Sequence, residues 1–138
     1  MKIVVAIDSL KGSLTSIQAG EAIEKGIKKV DLEAEVVIKP LADGGEGCLD
    51  AQTAMGKAPI GVAKLAKKYG KLVLGFSGAV TKGATACNEA GIDAYFPIVR
   101  SAVSLEDAMK KKNSQENLID TVAVSYTHLR AHETDQYL

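Results

Sequence analysis

The chain has 138 residues, 46% of them hydrophobic, with no Trp, and its 17 basic and 17 acidic side chains cancel. That length suffices for one domain with a real core, and the scarcity of aromatics leaves Val, Ile, Leu and Ala to build it, which suits parallel strands under helices better than a β-sandwich. Zero net charge removes any global case for nucleic acid or an anionic membrane as partner, and no window approaches the ~18 apolar residues of a membrane span.

The first apolar run, Ile3 to Ile7, is β-branched and unbroken, the pattern of a strand buried on both faces. Asp8 interrupts it too early for a signal peptide, so a cytoplasmic protein is expected. Thr15-x-x-Gln18 is a capping-box pattern that opens a helix, with Leu14, Ile17, Ala22, Ile23, Ile27 and Val30 along one face. A second strand over 35–39 closes at Pro40, and strand, helix, strand make a right-handed βαβ unit. Ile60 to Ala66 predicts another helix, stopped at Tyr69-Gly70, before a third central strand over 72–76. A helix over 82–90 ends at Gly91, and a fourth strand over 94–98 carries Pro97, which favours an edge or a strand end. Ser104 caps a last helix with Leu105, Ala108, Met109, Ile119 and Val122 on its apolar face, interrupted near Asn113-Ser114. The alternation predicts an α/β fold, one open and mostly parallel sheet with helices on both faces.

Ligands of such sheets collect outside the carboxyl ends of the strands, and two loops with chemistry leave such ends. In Asp8-Ser9-Leu10-Lys11-Gly12-Ser13, exposed amides, a helix N-terminus and an ammonium group suit a phosphate or carboxylate. The alternative is an ordinary polar turn with a capping serine. In Asp43-Gly44-Gly45-Glu46-Gly47 with Asp50, glycines let the backbone approach a ligand, and the carboxylates can hold Mg²⁺ or take a proton from a hydroxyl. The alternative is a flexible surface turn; the loop matches neither a Walker A motif nor GxGxxG. Gln52, Thr53 and Lys57 are weaker candidates, since Thr53 can cap the next helix and Lys57 can be simply solvated. Lys64, Lys67 and Lys68 read as a solvated helix face. Cys48 and Cys87 stand in no CxxC or metal-ligand spacing and read as reduced thiols.

The segment 124–138 has neither helical nor strand period, although it holds both histidines in a His-x3-His pair. It resembles translated sequencing adapter and is expected to be a non-native, disordered tail.

These blocks, in this order, resemble the glycerate kinases of the bacterial type II family. Asp8 to Ser13 is similar to that family's DSFKGS opening, with Leu10 in place of Phe. Leu41 to Gly47 is similar to its ADGGEG block. Leu49-Asp50-Ala51-Gln52-Thr53 and Met55 to Ala63 are similar to a later GEGRxDxQTxxGKxPxGVA block, with Cys48 in place of Arg. Gly91 to Ala94 and Ser104 to Ala108 are similar to its C-terminal region, so the resemblance covers residues 1–123.

The resemblance implies a Rossmann-like domain assembled from both ends of a longer chain, here joined near 44–53, with an inserted second domain missing. It implies transfer of phosphate from ATP, with Mg²⁺, to glycerate as small-molecule substrate, giving phosphoglycerate and ADP. Lys11 and Ser13 would hold phosphate or the substrate carboxylate, with Ser9 and Gly12 beside them. Asp43 with Gly44, Gly45, Glu46 and Gly47 would line the cleft and hold Mg²⁺. Asp50 would serve as base or second metal ligand near the glycerate hydroxyl, with Gln52 and Thr53 alongside. Residues 44–50 can equally derive from the first block, which leaves the role of Asp50 open. With half of the cleft missing, the chain is expected to be inactive. The alternative is a non-catalytic, Rossmann-like module that binds anions or a nucleotide. Nothing in the sequence specifies an oligomeric state.

Overall fold

The computed structural model describes residues 2–7, 13–40, 48–49, 58–80, 82–98 and 104–136; the side chains of 48–49, 58–59, 79–80 and 132–136 fall outside that description. In chain order the elements are β1 (Lys2–Ile7), α1 (Ser16–Val30), β2 (Glu35–Pro40), β3 (Cys48–Leu49), α2 (Ala58–Lys68), β4 (Leu74–Ser77), β5 (Ala79–Val80), a 3₁₀ turn (Lys82–Thr85), α3 (Ala86–Glu89), β6 (Ala94–Pro97), α4 (Leu105–Met109) and α5 (Lys111–Gln136). The α/β alternation is as expected, and every strand pair is parallel.

The single sheet is not. The described strands form three two-stranded pieces, β1–β2, β3–β5 and β4–β6, so β1 and β4 do not share a ladder. An unbroken apolar run specifies extended, buried chain; it does not specify which backbone edges meet. Side-chain packing unites β1–β2 with β4–β6, because Phe76 of β4 and Ile98 just past β6 reach the same core as Val5. Phe76 also stacks on its register partner Phe96, with ring centroids 5.5 Å apart.

Helix α1 starts where Thr15 predicts. The Thr15 hydroxyl accepts the Gln18 N–H at 3.2 Å, and the Gln18 side-chain oxygen accepts the Thr15 N–H at 3.1 Å. Lys28 and Lys29 in the last turn suit the negative end of the helix dipole. Ile17 departs from the expected face and is exposed. Two glycines let α1 bury itself on two sides. A Cβ on Gly20 would lie 2.6 Å from Ile38 Cγ2 on β2, and one on Gly26 would lie 2.7 Å from the Ile119 carbonyl oxygen on α5. The larger core therefore joins Ala19, Ala22, Ile23 and Ile27 to Val5, Leu118, Val122 and Tyr126.

A smaller core joins Ile60 and Ala63 of α2 to Ala84, Cys87 and Ile92. Helices α2 and α3 end alike. Gly70 (φ +67°) and Gly91 (φ +118°) adopt positive φ, and the residue after each donates its N–H back five positions, Lys71 to Ala66 at 2.9 Å and Ile92 to Cys87 at 3.0 Å. Each reversal delivers the chain toward a strand of the β4–β6 pair.

Three further expectations need correction. Val4 is 60% exposed, so β1 lacks the two-sided burial its sequence suggests. The last helix breaks at Lys110 (ψ 131°) rather than at Asn113-Ser114, and Leu105 and Met109 are exposed instead of forming an apolar seam. Residues 124–136 are not a disordered tail: α5 runs through to Gln136, Ser125 and Tyr126 are buried, and Leu129 packs on the core. A periodicity scan misses this because only a narrow stripe of α5 meets α1. A few well-placed side chains suffice for docking where a whole apolar face is absent.

Candidate functional site

Parallel pairing decides where the two motif loops begin. Strands β1 and β2 pair in register from Lys2 opposite Glu35 to Ile7 opposite Pro40. Their carboxyl ends are therefore level, and the 8–13 and 41–47 loops leave from adjacent strand ends. This is where doubly wound folds place ligands. Farther along, Leu49, the residue before Asp50, pairs with Val80 of β5, just past the end of β4. Ser9, Lys11, Gly12, Asp43, Gly44, Gly45, Glu46, Gly47, Asp50, Gln52, Thr53 and Lys57 lie outside the described residues.

Ser13 is the candidate that the structure describes, and its side chain has a defined partner. Its hydroxyl bonds to the hydroxyl of Ser114, 101 residues away. Ser114 Oγ lies 3.0 Å from the carbonyl oxygen of Ala108 and must donate its single proton there. Ser13 is consequently the donor to Ser114. Its side chain is thereby tied to α5. Ser114 was not among the expected site residues; the one signal for it was the anticipated interruption of the last helix at Asn113-Ser114.

One charged pair elsewhere is structural. Lys67 is not simply solvated, because it forms an ion pair with Asp93 that ties α2 to the start of β6. Asp93 Oδ2 also accepts the Val73 N–H at 2.6 Å, while its own N–H donates to the Val73 carbonyl at 2.9 Å. Partial burial raises the Asp93 pKa, but the Lys67 hydrogen bond, the Val73 N–H and the Lys67 charge together outweigh it and hold the carboxyl below its ordinary value. This perturbed group precedes β6, at the amino end of its strand, so it belongs to the fold rather than to the loops at the carboxyl ends.

An open groove of about 550 Å³ between α1 and α5 is lined by Glu24, Lys25, Lys28, Lys29, Leu32 and Ile119. It lies by the C-terminal half of α1, hence near the amino ends of β1 and β2, and is not part of the candidate site. Among the described residues no group of three or more His, Cys, Asp or Glu side chains could hold a metal ion, and no helix is long and apolar enough to cross a membrane. The carboxylates that the resemblance assigns to Mg²⁺, Asp43 and Asp50, are outside that set.

Level parallel strand ends that feed a glycine-rich loop and a lysine-bearing loop place the chain in the class of parallel α/β proteins, whose ligands collect at such strand ends. Comparison with known proteins narrows it. The model of the glycerate kinase family matches residues 3–51 and 45–128. The chain belongs to the glycerate kinase family. The two matches share 45–51, where the two sequence blocks meet, and the second continues past 123 into the segment expected to be a non-native tail. Relatives include a glycerate kinase of Bacillus subtilis, 44% identical over 70% of this chain and 26% of its own length. One from Haemophilus influenzae is 37% identical over 78% of this chain and 28% of its length. A glycerate 2-kinase of Escherichia coli is 38% identical over 66% of this chain and 25% of its length. The chain thus spans about a quarter of the length of these relatives.

Proposed function

We propose that the 8–13 and 41–53 loops form one wall of an active site that transfers phosphate from ATP to a hydroxyl of glycerate, giving phosphoglycerate and ADP. The observation that carries this reading is the family match across residues 3–51 and 45–128. The level ends of β1 and β2 support it, because they start both loops side by side. In this reading Lys11 faces the transferred phosphate, Asp43 and its glycines line the cleft, and Asp50 accepts the proton of the attacking hydroxyl, flanked by Gln52 and Thr53. Asp43 and Asp50 would also hold Mg²⁺, which supplies charge neutralisation at the phosphate oxygens. Catalysis of this kind is mainly positioning and electrostatic stabilisation.

Phosphoryl transfer needs clamping from both sides of the cleft. These residues supply one side, and charge contacts that face open water are worth little. Losing one oriented donor typically costs ~10²–10³ in rate, so the loss of a wall takes turnover below detection. A coupled ADP-release assay with ATP, Mg²⁺ and glycerate tests this, with no release above background expected. Turnover that disappears in Lys11→Ala or Asp50→Asn would overturn the inactivity and leave the kinase assignment standing. If neither ATP nor glycerate shifts any amide resonance of the chain, the assignment itself fails.

A further inference from the structure

Helix α1 buries Ala19, Ala22, Ile23 and Ile27, and its outer face carries a stripe at helical spacing: Ile17, Glu21, Glu24, Lys25 and Lys28, followed just past the helix by Leu32. Ile17 is 59% and Leu32 84% exposed. Leu32 lines the same groove as Glu24, Lys25 and Lys28, so the turn after α1 leaves it on that side of the helix. Aliphatic side chains exposed singly are ordinary. The order of the charges between these two is not.

From Ile17 to Leu32 the stripe runs apolar, acid, acid, base, base, apolar. Reversed, it is its own electrostatic complement. Two copies of α1 laid antiparallel about a two-fold axis set Ile17 against Leu32, Glu21 against Lys28 and Glu24 against Lys25, each contact made twice. A parallel arrangement sets Glu21 against Glu21 and Lys28 against Lys28, and like charges repel it. Among the described residues no ion pair engages Glu21, Glu24, Lys25 or Lys28, whereas the adjacent Lys29 is taken by Asp120 at 3.5 Å.

We propose that this face of α1 is an interface with a second copy of the chain, formed as an antiparallel, two-fold symmetric pair of α1 helices. Ile17 and Leu32 supply the apolar burial at both ends of the contact. The four charges set orientation and register more than affinity, because ion pairs at an exposed rim are individually weak. The contact is one helix wide and about 22 Å long at 1.5 Å rise per residue, less than the ~1,200–2,000 Å² that stable interfaces bury. The dimer is therefore a weak one, in exchange with the monomer.

Sedimentation equilibrium of the full chain, carried into the millimolar range, should show a reversible monomer–dimer equilibrium, and Leu32→Asp should weaken it at least about tenfold. Glu21→Lys combined with Glu24→Lys makes the four charges of the stripe positive, and Lys25→Glu combined with Lys28→Glu makes them negative. Neither double variant should associate with itself. Their equimolar mixture should form a heterodimer, since every contact then joins opposite charges, and high salt should loosen it. A wild-type chain that stays monomeric overturns the proposal, as does a dimer that Leu32→Asp leaves intact, a larger assembly in place of a dimer, or double variants that do not pair when mixed. If circular dichroism shows a double variant unfolded, Ile17→Asp joins Leu32→Asp in the comparison, and full association in either overturns the interface.

Discussion

The phenolic oxygen of Tyr126 lies 3.1 Å from Oδ2 of Asp31, so the C-terminal helix is bonded to the residue that ends α1. One turn later the Arg130 guanidinium donates to the Val30 carbonyl at 3.1 Å, giving a carbonyl at the end of α1 a cationic donor.

Removal of residues 125–138 should therefore lower the melting temperature by several degrees. Tyr126→Phe isolates the hydrogen bond and should cost about 1 kcal/mol, a few degrees for a domain of this size. Circular dichroism melts check both. An unchanged melting temperature for the truncated chain would show that the helix end contributes nothing to the fold.

Two glycines in helices should respond to alanine with opposite signs. Gly61 in α2 has nothing within 4 Å of a built Cβ, so Gly61→Ala should stabilise by about 1 kcal/mol through helix propensity. At Gly26 a Cβ would lie 2.9 Å from Val122 Cβ as well as against the Ile119 carbonyl, and Gly26→Ala should destabilise by about 1–3 kcal/mol. Urea midpoints of the two variants, on opposite sides of wild type, are the expected result.

Burial of β1 on one face can be read from neighbouring residues. Val5 is 7% exposed and Val4 60%. Val5→Thr places a hydroxyl in the core and should cost about 1–3 kcal/mol, whereas Val4→Thr should stay within about 0.5 kcal/mol of wild type. Equal losses would mean that Val4 is covered in solution.

The Asp93 pair sets an acid limit. Because the folded pKa lies below the ordinary value of 3.8, the contribution is complete above that value and is lost as pH falls through the lowered one. The melting-temperature gap between wild type and Asp93→Asn should hold steady from neutral pH down to about 4, then close in stronger acid. As both side chains are partly exposed, the gap should be small, on the order of 1 kcal/mol or less. A gap that widens in acid contradicts the assignment.

Local patterns in the sequence determined what is local in the structure. The capping box at Thr15 and Gln18, the Ser104 cap, the glycine stops at Gly70 and Gly91 and the parallel α/β alternation all appear as read, because each depends on residues a few positions apart. The family, too, was legible from blocks quoted residue by residue. Tertiary structure alone decided the rest. Whether β1 meets β4, whether Val4 is covered, and whether Tyr126 finds Asp31 depend on which surfaces meet, which no periodicity encodes. Likewise, the partner of the Ser13 hydroxyl cannot be read from its own loop, because Ser114 is far away in the chain and adjacent only in space.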